Sequence, residues 1–244
     1  MLDFFRENFV VHTHIEKTAG STLSRGFIQA FGPDRVWDIR GPKRKKPEFL
    51  SPEERREIYV LTGHFHYDGG HIKYFDRTPI YIACVRPPLD RYRSAYDFVR
   101  VRPNHPGHAR VGGKTLRQTV EDLAKSPNPR VNVMARALSK NPHIDAPNLF
   151  RHIEEKYLIV TPHRRVNDTL NALVPLLGGN PPNPDLYRNK TTDRSSEDLG
   201  DMAQWFADAN RLDAELVEFV EANYDRWLKL LPERLAALQR RPLF

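Results

Sequence analysis

Four short apolar runs, each rich in β-branched and aromatic residues, constrain the fold of this chain more than any other feature. They are Phe9–His14, Tyr59–His64, Pro79–Val85 and Tyr157–Thr161. None alternates apolar with polar residues as a half-exposed strand does, so each reads as a strand covered on both faces. Helical patterns separate them. Ser21–Phe31 opens on two hydroxyl residues suited to a helix start. Leu89–Arg100 carries Leu89, Tyr92, Tyr96 and Val99 at helical spacing, and Val166–Leu177 carries Val166, Leu170, Leu173 and Leu177. The stretch Leu199–Leu238 reads as mostly helical, with breaks expected near Asn223–Tyr224 and Pro232. Strands alternating with helices predict an α/β layered fold around a mostly parallel sheet. The segments Arg40–Pro47, Arg102–Gly113 and Gly178–Pro184 read as loops on a single domain spanning residues 1–244.

Composition narrows the function classes. With 244 residues, 39% hydrophobic and 28% charged, the chain has the make-up of a globular protein, not a disordered one. No apolar run approaches the roughly 20 residues of a membrane-spanning helix. The opening MLDFFRENFVVHTH has no basic region followed by a long apolar core, which predicts a cytoplasmic protein if Met1 is the natural start. The single cysteine, Cys84, rules out an internal disulfide and a cysteine-built zinc site, and nothing in the sequence suggests another metal centre. A net charge of +7 favours an anionic partner without saying which.

Two segments carry candidate chemistry. In VVHTHIEKTAGSTL a strand leads through a turn into a helix, with Lys17, Thr18, Ala19, Gly20, Ser21 and Thr22 on the turn and the first helical turn. Backbone N–H groups at such a place are unpaired and face outward, and the helix dipole adds positive charge. Gly20 lets an anion approach the backbone, the hydroxyls of Thr18, Ser21 and Thr22 can donate to it, and Lys17 adds a point charge. A Walker A loop places its lysine just after the second glycine, next to the hydroxyl residue. Here the lysine precedes the glycine, so that ATPase pattern is absent, and a simple helix cap with an exposed lysine is the competing interpretation. In IYIACVRPPLDRYRSAY the same architecture recurs: Arg86 ends a buried strand, and Ser94 follows eight residues later on one side of the next helix. An arginine fork with a hydroxyl is a clamp for a phosphate monoester. Two such sites in one sheet suit a nucleotide with phosphates at both ends.

These motifs resemble the sulfotransferases that use 3′-phosphoadenosine-5′-phosphosulfate (PAPS). HIEKTAGSTL is similar to their 5′-phosphosulfate loop and CVRPPLDRYRSAY to their 3′-phosphate loop. Through TGHFHY, PIYIACVRPPLDRYRSAYDFVR and YRNKTT, the chain most resembles the heparan sulfate and uronyl 2-O-sulfotransferases. The resemblance implies a P-loop-like three-layer fold and transfer of a sulfuryl group from PAPS to a hydroxyl acceptor, a carbohydrate, leaving adenosine 3′,5′-bisphosphate. It implies no nucleic acid partner. It puts Lys17 on the bridging oxygen, Gly20, Ser21 and Thr22 around the 5′ phosphate, and Arg86 and Ser94 on the 3′ phosphate. Lys190, Thr191 and Thr192 match a late loop over the nucleotide, and His64 matches the base that deprotonates the acceptor. His66 is a rival base. Glu16 stands where the family's loop has a proline, Pro87 where it has an aspartate, and Thr62 where some relatives have a histidine. The competing readings are a nucleotide kinase, a polyanion-binding protein without catalysis, and a sulfotransferase that has lost turnover.

Overall fold

In the computed structural model, residues 3–40, 45–183 and 195–240 are described. The strands are β1 (Asn8–Thr13), β2 (Val36–Asp38), β3 (Val60–Gly63), β4 (Thr78–Val85) and β5 (Tyr157–Pro162). They form one sheet in the order β2-β3-β1-β4-β5, every pair parallel. The helices are α1 (Phe4–Glu7), α2 (Gly20–Phe31), α3 (Pro52–Arg56), α4 (Pro88–Arg100), α5 (His108–Val111), α6 (Leu116–Lys125), α7 (Val133–Ser139), α8 (Ala146–Lys156), α9 (Val166–Leu176), α10 (Met202–Ala209), α11 (Arg211–Lys229) and α12 (Leu231–Gln239).

The α/β reading from sequence is correct. β1, β3 and β5 are buried along their whole length and β4 along most of it, as continuous apolar runs require. Helices cover the sheet to make a three-layer arrangement: α2 packs on α9, while α11 packs on β5, α7 and α8. Gly26 permits the first contact, since a Cβ there would lie 2.4 Å from Leu170 Cδ1. No helix among the described residues is long and apolar enough to cross a membrane.

Two expectations need correction. The three-residue β2, too short to show a pattern, is not among the strands expected from sequence; it is a strand because the sheet edge at β3 pairs with it. The break expected at Asn223–Tyr224 does not occur, and α11 runs through it. The Asn223 amide donates to the Phe219 carbonyl one turn back, and the Tyr224 hydroxyl lies 2.8 Å from Thr169 Oγ1, so both polar groups are satisfied inside a helix. The breaks fall at Asn210 and Leu230, and Pro232 opens α12, where its missing N–H costs nothing.

The strand order places the candidate site. From β1 the chain crosses to β2 on one side, and from β4 it crosses to β5 on the other. Right-handed crossovers therefore put the following helices on opposite faces and open a crevice at the carboxyl ends of the neighbouring strands β1 and β4. The Lys17 loop leaves one of those strands and Arg86 ends the other.

Candidate functional site

The chain after β1 turns tightly. Lys17 and Ala19 have positive φ (66° and 73°), and α2 begins directly after. Among the described residues, the backbone N–H groups of Lys17, Thr18, Ala19, Gly20 and Ser21 make no backbone hydrogen bond. Successive free N–H groups in a turn ahead of a helix form a concavity suited to an anion. Ser21 is exposed and Thr22 half-buried at its rim. Thr18 differs from the sequence expectation of an outward donor. Its side chain is buried and its hydroxyl donates to the Ile15 carbonyl at 2.9 Å, bracing the turn from inside. Gly20 is required by close approach, because a Cβ there would lie 2.4 Å from the His14 ring.

The second loop meets the first. Arg86 Nη1 donates to the Lys17 carbonyl at 3.2 Å. Ser94 lies on α4 one turn before Phe98, so the two share a face. The Lys17 ammonium lies 3.9 Å from the centroid of the Phe98 ring, and the Arg102 guanidinium lies 3.7 Å from the same ring. Three cations thus converge where Arg86 and Ser94 were expected to act. Burial, then Arg102 and Arg86, lower the Lys17 ammonium to about 8, so it remains mostly charged at neutral pH. Phe98 and Arg102 were not singled out from sequence as site residues. Their signal was the four-residue spacing of Ser94 and Phe98 on α4, with Arg102 just beyond the helix end. Lys190, Thr191 and Thr192 lie outside the described residues.

Beside these loops is a cleft of about 270 Å³ lined by His14, Glu16, His64, His66, Arg130 and Arg136, among others. β3 ends at Gly63, so both candidate bases stand beyond the strand, exposed at the cleft. His64 Nδ1 lies 3.2 Å from Glu16 Oε1, and its Nε2 lies 3.1 Å from Arg40 Nη1. Asp38 anchors Arg40 through its backbone N–H (3.0 Å) and its Nε (2.8 Å). His66 points its Nδ1 at the Arg136 carbonyl, 2.9 Å away. The hydrogen bond to His64, the largest cause, holds the Glu16 carboxyl down at about 2 against the opposing effect of burial.

Behind the cleft, His12 on β1 and His14 just past its end stack their rings, with centroids 5.1 Å apart. Thr62 Oγ1 lies 2.9 Å from His12 Nδ1, and Ser24 Oγ lies 3.3 Å from the same nitrogen. Burial, then Arg40 and His64, lower His12 to about 3. Burial, then His12, Arg40 and His64, lower His14 to about 2. Both rings are therefore neutral in the folded state, whereas the unfolded chain takes up protons below about pH 6.5. A folded value below the unfolded one means stability is lost as pH falls beneath 6.5, by up to roughly 1.4 kcal/mol per pH unit for each ring. Urea unfolding midpoints measured between pH 7 and pH 5 are expected to fall steeply, above the range where carboxylates titrate. A flat profile there would show that the rings are hydrated in the native state.

No protein-family model matches the chain, and no curated protein matches it.

Proposed function

We propose that this protein is a sulfotransferase that moves the sulfuryl group of PAPS to a hydroxyl on a carbohydrate acceptor. The observation that carries the reading is the meeting of two anion cradles at adjacent strand ends, with Arg86 bonded to the carbonyl of Lys17. A nucleoside with phosphates on both its 3′ and 5′ oxygens matches two cradles in one crevice, whereas a triphosphate chain is satisfied by one. The resemblance in sequence adds the same assignment independently of the contacts.

In this reading the free N–H groups of the Lys17–Ser21 turn bind the 5′ phosphate, and Arg86 with Ser94 binds the 3′ phosphate. Arg102 adds a third cation beside Phe98. His64 accepts the acceptor's hydroxyl proton on Nε2 as the acceptor oxygen bonds to sulfur. Lys17 stabilises the electron pair left on the 5′-phosphate oxygen when the bridging S–O bond breaks. The sulfuryl group carries less charge than a phosphoryl group, so positioning and these fixed cations supply most of the assistance. Arg130 and Arg136 at the cleft suit an acceptor that also bears acidic groups.

Calorimetric titration with adenosine 3′,5′-bisphosphate, run beside ATP with magnesium, tests the reading. Micromolar binding of the bisphosphate without binding of ATP is the expected result. Tight ATP binding alone would make the protein a kinase. Failure to bind either, with retention on heparin that salt reverses, would make it a polyanion-binding protein.

A further inference from the structure

His64 is held through both ring nitrogens. A guanidinium has five donors and no acceptor, so Nε2, facing Arg40 at 3.1 Å, must be the accepting nitrogen. The proton of the neutral ring then belongs on Nδ1, which donates to Glu16 Oε1 at 3.2 Å. The ring is further fixed edge-on against His14, with centroids 5.1 Å apart and planes at 87°. Glu16 occupies the position of the family's loop proline, so the resemblance does not imply this pairing.

We propose that Glu16 is a positioning residue that keeps His64 in its Nδ1–H tautomer, leaving Nε2 to take the acceptor's proton, with Arg40 as a removable cap on that nitrogen. The catalytic meaning of this arrangement rests on the sulfotransferase reading; the tautomer itself does not. The charged and titratable groups around His64 are Glu16 and His14 from the chain at the end of β1, Asp38 and Arg40 at the end of β2, Arg130 and Arg136 across the cleft, and His66 on its own segment. Of these, Glu16 is the carboxylate that touches the ring, and Asp38 is engaged with Arg40. When His64 gains a proton, Glu16 converts a hydrogen bond to a neutral ring into an ion pair. Glu16 remains ionised throughout the neutral range, since its carboxyl is held down at about 2. Arg40 keeps its bonds to Asp38 when it leaves Nε2, so uncapping loses few contacts. The same comparison ranks the two candidate bases. His66 rests on a backbone carbonyl, a neutral dipole that compensates an imidazolium less than a carboxylate does.

The test is long-range proton–nitrogen correlation spectroscopy of the whole ¹⁵N-labelled chain at about pH 8.5, where ordinary imidazoles are neutral. His64→Gln assigns the signal. The expected wild-type result is a ring protonated on Nδ1. Glu16→Ala should reduce that tautomer at least threefold against the Nε2–H form, and Glu16→Gln should retain it, because an amide oxygen still accepts. A wild-type ring protonated on Nε2, or an unchanged ratio in Glu16→Ala, overturns the proposal. The wild-type spectrum decides the tautomer even if Glu16→Ala does not fold. Bisphosphate titration of the wild type is read separately: its failure removes the sulfotransferase reading and leaves the tautomer result standing.

Discussion

Replacing Arg86 with alanine is expected to weaken adenosine 3′,5′-bisphosphate binding about 100-fold while leaving the protein folded. A guanidinium on a phosphate makes two charge-assisted hydrogen bonds, each worth about 1.5–3 kcal/mol, and 1.4 kcal/mol is a factor of ten in affinity. Arg86 also ties the two loops together through the Lys17 carbonyl, so its loss loosens the first cradle as well. The side chain is only half-buried at the end of β4, which limits the cost to stability. Arg86→Lys keeps the charge without the fork and is expected to lose roughly tenfold. Calorimetry on the three proteins, with thermal melts as the folding control, checks this order. Equal affinity across the series would place the nucleotide elsewhere and dismantle the two-cradle site.

Arg77→Met is expected to destabilise the fold strongly, independently of function. Arg77 is 4% exposed and, among the described residues, has no carboxylate in hydrogen-bond contact. Its guanidinium instead donates to four backbone carbonyls: Phe5 (2.9 Å) and Asn8 (3.5 Å) before and at the start of β1, and Arg55 (2.7 Å) and Ile58 (2.8 Å) ahead of β3. One side chain thus pins the entries of β1 and β3 to the segment leading into β4. Burial lowers its pKa to about 10, so it stays charged at neutral pH. Methionine fills the space of the stem but leaves those carbonyls without their donors. The expected loss is about 3–5 kcal/mol, a large share of the roughly 5–15 kcal/mol that holds an ordinary domain together. Urea unfolding measures it. A loss below about 1 kcal/mol would mean that water replaces the guanidinium at those carbonyls.

Much of the architecture was legible in the residue order. The four long strands are continuous apolar runs, and burial on both faces of a parallel sheet demands that composition wherever the strand lies. The Lys17 loop and Arg86 were legible for a similar reason: strand, turn and helix start form a local unit whose free N–H groups follow from helix geometry alone. Thr18 was misjudged because a hydroxyl in a turn has two local choices, and only the path of the backbone back to Ile15 selects the inward one. The continuity of α11 through Asn223 and Tyr224 was hidden because their polar groups are satisfied by Phe219 within the helix and by Thr169 from a different helix.

By itself, then, the sequence determined the layered α/β class, four of the five strands that build the sheet and the two loops that end β1 and β4, because periodicity, glycine and helix termini act over a few residues. The tertiary structure alone decided the strand order that brings those loops together. It also decided the meeting of Lys17 and Arg102 at the Phe98 ring, and the clasp of Glu16 and Arg40 on His64. Apart from Phe98 with Arg102, each of those contacts joins residues far apart in the chain. No local propensity encodes such a pair; it forms when burying the apolar runs on both faces of one sheet sets which strand ends become neighbours.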